Sequence, residues 1–156
     1  MSYEIPDTSS EKPKTRNPKL GTKIIGITGG IGSGKSTVSK FIEELGFPVY
    51  DSDFWAKELV NIDENLKSRI IELLGEESYD ENGKYNRKFV AEKVFENQEL
   101  LLQLNQIIHP AVKIHFENWV NAQNAEFVFK ETALLFELKL NESCYQSVLV
   151  TADENI

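Results

Sequence analysis

The sequence predicts an α/β fold, a parallel sheet with a helical segment inserted into it, and three observations carry that expectation. Short apolar runs of strand length stand at Lys23–Thr28, Phe47–Tyr50, Glu126–Glu131 and Ser147–Thr151. A glycine-rich turn joins the first run to an amphipathic stretch, in the strand–turn–helix–strand order of a βαβ unit. A long span of helical periodicity then separates the second run from the third.

The first 21 residues, with Pro6, Pro13 and Pro18 among polar and basic side chains, lack apolar periodicity and read as a disordered tail. Residues 22–156 read as one domain, its core at 22–53 and 125–156 and its helical insertion at about 54–124. Lys23–Thr28 is apolar on both faces, as central parallel strands are. Lys35 to Leu45 has a helical stripe of Val38, Phe41, Ile42 and Leu45, closed by Gly46. In the insertion Trp55, Leu59, Leu66, Ile70, Leu73 and Leu74 recur at helical spacing with a break near Asn61 and a stop at Gly75. A turn follows at Asp80–Gly83, then a helix around Phe89–Phe95 and a longer one from Leu100 to Trp119 that Pro110 can kink. Thr132–Leu138 is expected as a short helix, and Asp153 as the cap of another.

The composition limits the partners. Asp+Glu 25 against Lys+Arg 17 gives a net charge of −8, a poor field for a nucleic-acid surface. No apolar run approaches the ~20 residues that cross a bilayer, and the N-terminus has no signal core. The single cysteine, Cys144, has no internal partner, so a cytoplasmic protein is expected. The sequence does not give the oligomeric state, and a monomer is the expectation.

Gly29-Gly30-Ile31-Gly32-Ser33-Gly34-Lys35-Ser36 fits G-x-x-x-x-G-K-[ST] without a mismatch. Its amides can curl into a nest for phosphate oxygens, and the helix opening near Lys35 adds its positive end. Lys35 can reach the β- and γ-phosphates of ATP, Ser36 is an oxygen ligand suited to Mg²⁺, and Thr37 lies beside the α-phosphate path in such loops. A strand before this loop and a helix after it predict a three-layer P-loop NTPase-type sandwich.

Asp51 and Asp53 follow the second strand, where ligands bind in open α/β sheets. If the backbone stays extended, both point to one side, one accepting a hydroxyl proton and the other orienting water on the metal; the alternative is capping of the next helix. Glu131, at the end of the third strand, resembles a Walker B acid on Mg²⁺ or belongs to a surface turn. Arg87 and Lys57 are candidates for phosphates of a second substrate or are solvated, and His109 and His115 suit packing or capping roles.

The chain resembles the dephospho-coenzyme A kinase family. The residues that carry the resemblance are Ile27–Val38, Leu45-Gly46, Asp51-Ser52-Asp53, Asp80-x-x-Gly83 with Arg87, Val94-Phe95, Leu104-Asn105-x-Ile107-x-His109-Pro110 and Leu134-Leu135-Phe136-Glu137. It implies ATP-dependent phosphorylation of the 3′-hydroxyl of the dephospho-CoA ribose, with Asp53 as base or hydroxyl-orienting group. It also implies an inserted acceptor-binding subdomain that includes Arg87 and His109. Three departures are visible: Lys57 for an arginine, Asn86 for an aspartate and Ala133 for a proline. Family members continue into an arginine-bearing lid and a further strand, so the resemblance implies that these 156 residues are C-terminally incomplete, bind ATP poorly and turn over slowly. Other readings are a different P-loop nucleoside or metabolite kinase and a non-catalytic ATP-binding fragment. A GTP switch lacks its Asn-Lys-x-Asp segment here.

Overall fold

A computed structural model describes residues 21–30 and 32–152. The tail expected over 1–21, apart from Gly21, lies outside the described residues, as do Ile31 and the Asp153 cap. Among the described residues four strands form one parallel sheet: β1 (Lys23–Thr28), β2 (Val49–Asp51), β3 (Phe127–Glu131) and β4 (Gln146–Leu149), in the order β2-β3-β1-β4. Register places Ile27 beside Glu131, Asp51 beside Glu131 and Thr28 beside Leu149. The carboxyl ends of the first three strands, and with them the acids, therefore lie at one edge.

The chain divides into two compact units, one formed by residues 1–53 and 116–156 and the other by Phe54–His115. In the first, β3 lies between β1 and β2, with Val128 and Lys130 buried. Successive residues of a strand face opposite sides. Phe129 meets Phe47, which follows α1 (Lys35–Glu44), edge to face at 5.7 Å. Lys130 instead lies with its ammonium 4.1 Å from the centre of the Phe116 ring in α5 (Gln98–Ala122), so both faces of the sheet are covered. Tyr50, fully buried, packs on Phe116 and Trp119. Burial holds its phenol well above the ordinary value, and the Asp51 charge adds to the shift.

Two expectations about local structure are corrected. On α1, Phe41 and Leu45 are exposed, because the inward face runs through Lys35, Val38, Ser39 and Ile42, the i, i+3, i+4, i+7 set one step round from the expected stripe. Thr132–Leu138 forms turns rather than a helix. Leu138 N–H donates to Leu134 O, Lys139 to Phe136 O and Leu140 to Leu135 O, a mixture of spacings that no regular helix can propagate, and Leu134 N–H is taken by the Thr132 hydroxyl. The fourth strand is displaced by a residue or two from its expected Ser147–Thr151, and all four of its residues are exposed, as a strand with one partner among the described residues permits.

The second unit holds α2 from Phe54 onward (Ser52–Ile62 in full), α3 (Glu64–Leu74), α4 (Arg87–Phe95) and α5 up to His115. Asp63 caps α3 by accepting from Leu66 N–H at 3.0 Å, which is the break expected near Asn61. Asn86 caps α4 through Phe89 N–H, a role that an aspartate serves equally well. Leu66, Ile70 and Leu74 of α3 form its buried stripe. Tyr79, also buried, donates its hydroxyl to Val60 O at 2.7 Å. α5 continues through Pro110, whose missing N–H leaves the carbonyl of Gln106 without its usual helical partner. Among the described residues no helix is long and apolar enough to cross a membrane.

Candidate active site

The glycine-rich turn leaves β1 at Gly29 and enters α1 at Lys35. Gly32 and Gly34 have φ of +75° and +90°, the left-handed region that a side chain disfavours. Gly29 is required for a different reason: a Cβ there would stand 2.5 Å from Ser33 Oγ and 2.6 Å from Val150 O. The loop is closed by Ser33 N–H donating to Gly30 O at 3.1 Å. α1 begins without a side-chain cap and without an acid in its first turn. Its first amides and the positive end of its dipole therefore remain for an anion. Within the loop, Ser33 Oγ is buried and has no hydrogen-bond partner among the described residues, an arrangement that costs about 1–3 kcal/mol unless a ligand or water completes it.

Glu131 gathers the polar side chains that leave this loop. It ends β3 at 4% exposure; its Oε1 lies 3.6 Å from Lys35 Nζ and accepts from Ser36 Oγ at 3.4 Å. Glu131 is thus buried, and the surface-turn reading of it is set aside. The Lys35–Glu131 pair is largely removed from water, so each charge depends on the other. Asp51 is the register partner of Glu131, which sets a second carboxylate-bearing residue next to it across the ladder.

Asp53 departs from the expected geometry. The backbone does not stay extended past Asp51, because α2 begins at Ser52; the two aspartates are divided between the end of a strand and the first turn of a helix. An acid in that first turn is favoured by the helix dipole. Asp53 Oδ2 also accepts from Ala133 N–H at 3.4 Å, across the gap from the end of β3.

The structure therefore brings Lys35, Ser36 and Glu131 into contact, sets Asp51 beside Glu131, and joins Asp53 to the segment two residues beyond Glu131. Gly29, Gly30, Gly32, Ser33, Gly34 and Thr37 frame the same loop. Arg87 opens α4 and His109 lies within α5, both in the second unit, as does Lys57 of α2. Burial lowers the pKa of His109, so its imidazole is neutral at neutral pH. His115 is lowered for the same reason and packs against Trp55 with ring centres 4.3 Å apart. Sequence reasoning missed the Ala133 amide, which no side-chain pattern announces, and the buried Lys130, for which a lysine in an otherwise apolar strand was the available signal.

Among the described residues no cluster of three or more His, Cys, Asp or Glu is placed to hold a metal ion. What the loop edge offers instead is a hydroxyl and two carboxylate-bearing residues in sequence positions 36, 51 and 131, an all-oxygen set of the kind that hard divalent cations accept alongside water.

The chain is similar to known proteins in sequence and in fold. A family model described as dephospho-CoA kinase matches residues 23–156. A dephospho-CoA kinase of Fusobacterium nucleatum is 40% identical over 133 residues, which cover 85% of this chain and 68% of that one. One from Porphyromonas gingivalis is 42% identical, covering 85% and 65%. The chain thus spans about two thirds of the length of these relatives. A crystal structure of a Thermus thermophilus protein superposes with a TM-score of 0.74 at 34% identity, over 85% of this chain and 66% of that one. Loop, parallel sheet and sequence match together make this chain a member of the dephospho-CoA kinase family.

Proposed function

We propose that the protein transfers the γ-phosphoryl group of ATP to the ribose 3′-hydroxyl of dephospho-CoA, giving CoA and ADP. The observation that carries this reading is the convergence of Lys35 and Ser36 on Glu131 at the sheet edge where Asp51 and Asp53 also emerge. The loop amides from Gly29 to Thr37 bind the phosphates of ATP, and the lysine ammonium leaves Glu131 for the β- and γ-oxygens. Ser36, Asp51 and Glu131 would hold Mg²⁺, which when bound neutralises charge on the phosphates.

Asp53 orients the acceptor hydroxyl and takes its proton as the new O–P bond forms. The bond between the γ-phosphorus and the bridging oxygen breaks, and its electron pair departs with ADP. A loose transition state asks little of the base, so alignment is the larger contribution of Asp53. Arg87 supplies a cation for phosphates of the acceptor. His109, neutral through burial, serves the acceptor as a hydrogen-bonding group rather than as a charge.

The test is product identification by mass spectrometry from ATP and dephospho-CoA, with nucleosides as competing acceptors. Formation of CoA and ADP, with nucleosides unmodified, is the expected outcome; phosphorylation of a nucleoside in preference would replace this reading with that of a nucleoside kinase. Asp53→Asn should leave ATP binding nearly intact and lower turnover by about 100-fold. An unchanged rate removes Asp53 from the mechanism.

A further inference from the structure

Over the two residues beyond Glu131 the chain is held with more care than a connecting turn requires. Thr132 is 3% exposed. Its N–H donates to Ile27 O at 2.9 Å, extending the β1–β3 ladder by one bond, and its Oγ1 accepts from Leu134 N–H at 3.2 Å. The peptide between Thr132 and Ala133 is thereby fixed from both sides, and it is the N–H of this peptide that donates to Asp53 Oδ2. The distance of 3.4 Å is longer than the usual ~2.9 Å, a feature of catalytic hydrogen bonds before substrate tightens them.

We infer that the main-chain N–H of Ala133 is a positioning group for the Asp53 carboxylate. The inference rests on the role given to Asp53 above and extends it. An aspartate side chain turns about two torsions, and a carboxylate in the first turn of a helix is otherwise restrained only by the dipole. A donor to Oδ2 restricts that rotation and leaves Oδ1 for the acceptor hydroxyl. Glu131 contacts the phosphate loop and Ala133 contacts the acid, so a rigid three-residue span sets the separation of the two halves of the reaction.

The side chain of residue 133 takes no part in this; only the presence of an N–H matters. Proline, the residue that the family resemblance leads one to expect there, has none. This chain therefore has a restraint on its acid that a proline at the same position cannot supply.

Two measurements on the full chain test the inference. The first is the solvent-exchange rate of the Ala133 amide by NMR. It should rise several-fold in Asp53→Ala, which removes the acceptor, while the Thr132 amide, bonded to Ile27, stays as it was. Equal Ala133 rates in the two proteins overturn the inference, whether or not the chain is a kinase. The second compares Ala133→Pro with Ala133→Ser. Proline should lower kcat by roughly 3- to 10-fold, the effect of one hydrogen bond to a charged group, with KM for ATP unchanged. Serine, which keeps the donor, should restore the rate. A proline variant with unaltered kcat, or a loss shared by the serine variant, overturns the inference. If exchange responds as expected but the unsubstituted chain phosphorylates no acceptor, the kinase reading fails and the positioning role fails with it, whereas the converse pattern leaves the kinase reading standing.

Discussion

β3 and β4 are both parallel neighbours of β1, yet they contribute to the candidate site in opposite ways. β3 has a partner on each side, and its residues Val128, Lys130 and Glu131 are buried. Among the described residues β4 has one partner and is exposed along its whole length. The strand with two ladders can hold a carboxylate out of water and let it organise Lys35 and Ser36. The edge strand leads into a main-chain contribution: Val150, the residue after it, donates its N–H to Thr28 O at 2.8 Å, and Val150 O closes on Gly29. Side-chain chemistry at this edge thus depends on the central strand, and loop shape on the outer one.

Substitutions can break that contrast. Glu131→Ala leaves the part-buried Lys35 ammonium without its partner and should lower unfolding stability by about 3 kcal/mol in urea titrations, as loss of one member of a buried pair does. Val128→Ala, at 0% exposure, should cost about 2 kcal/mol in the same assay. Gly29→Ala meets a backbone carbonyl that cannot turn aside, and a loss of about 1–2 kcal/mol with weakened ATP binding by calorimetry is expected. Val148→Ala on the edge strand should change stability by less than about 0.5 kcal/mol. A cost at Val148 equal to that at Val128 would remove the distinction between the strands.

The second unit adds a dependence on acidity through its two histidines. His109 and His115 both have folded-state pKa values below the ordinary 6.5, through burial. The unfolded chain binds protons more readily, so the stability these groups contribute is complete above the ordinary value and declines as pH falls through the folded-state values. Thermal unfolding should therefore fall in midpoint on acidification below about pH 6.5, and a variant with glutamine at both positions should flatten that part of the curve.

Much of the first unit was legible because its signals are local. The loop is a contiguous motif, and apolar runs at 23–28 and 126–131 show strands within a residue or two of where they lie. Gly75 ends α3 as expected, with φ of +99°. What was not legible depends on contacts across the chain. The expected stripe of Val38, Phe41, Ile42 and Leu45 gave the wrong roll for α1, because packing on the sheet turned Ser39 inward in place of Phe41 and Leu45. The turns after β3 defeat a helical reading because Thr132 takes the Leu134 amide for its own side chain. The division of Asp51 from Asp53 follows from α2 starting at Ser52, two residues earlier than a capping role for Asp53 would place it. The sheet order could not be read from any single run.

That order has a consequence for how the protein comes into being. β1 emerges first but finds its neighbours only when Phe127 and then Gln146 have been synthesised, since Lys23 pairs with Phe127 and Ile25 with Gln146. Until then the nascent chain carries a phosphate loop without the wall that Val150 provides, attached to a strand with both edges unpaired. Contacts of such long reach slow folding, and they tie nucleotide competence to a strand made more than a hundred residues after β1 rather than to the motif that names the loop.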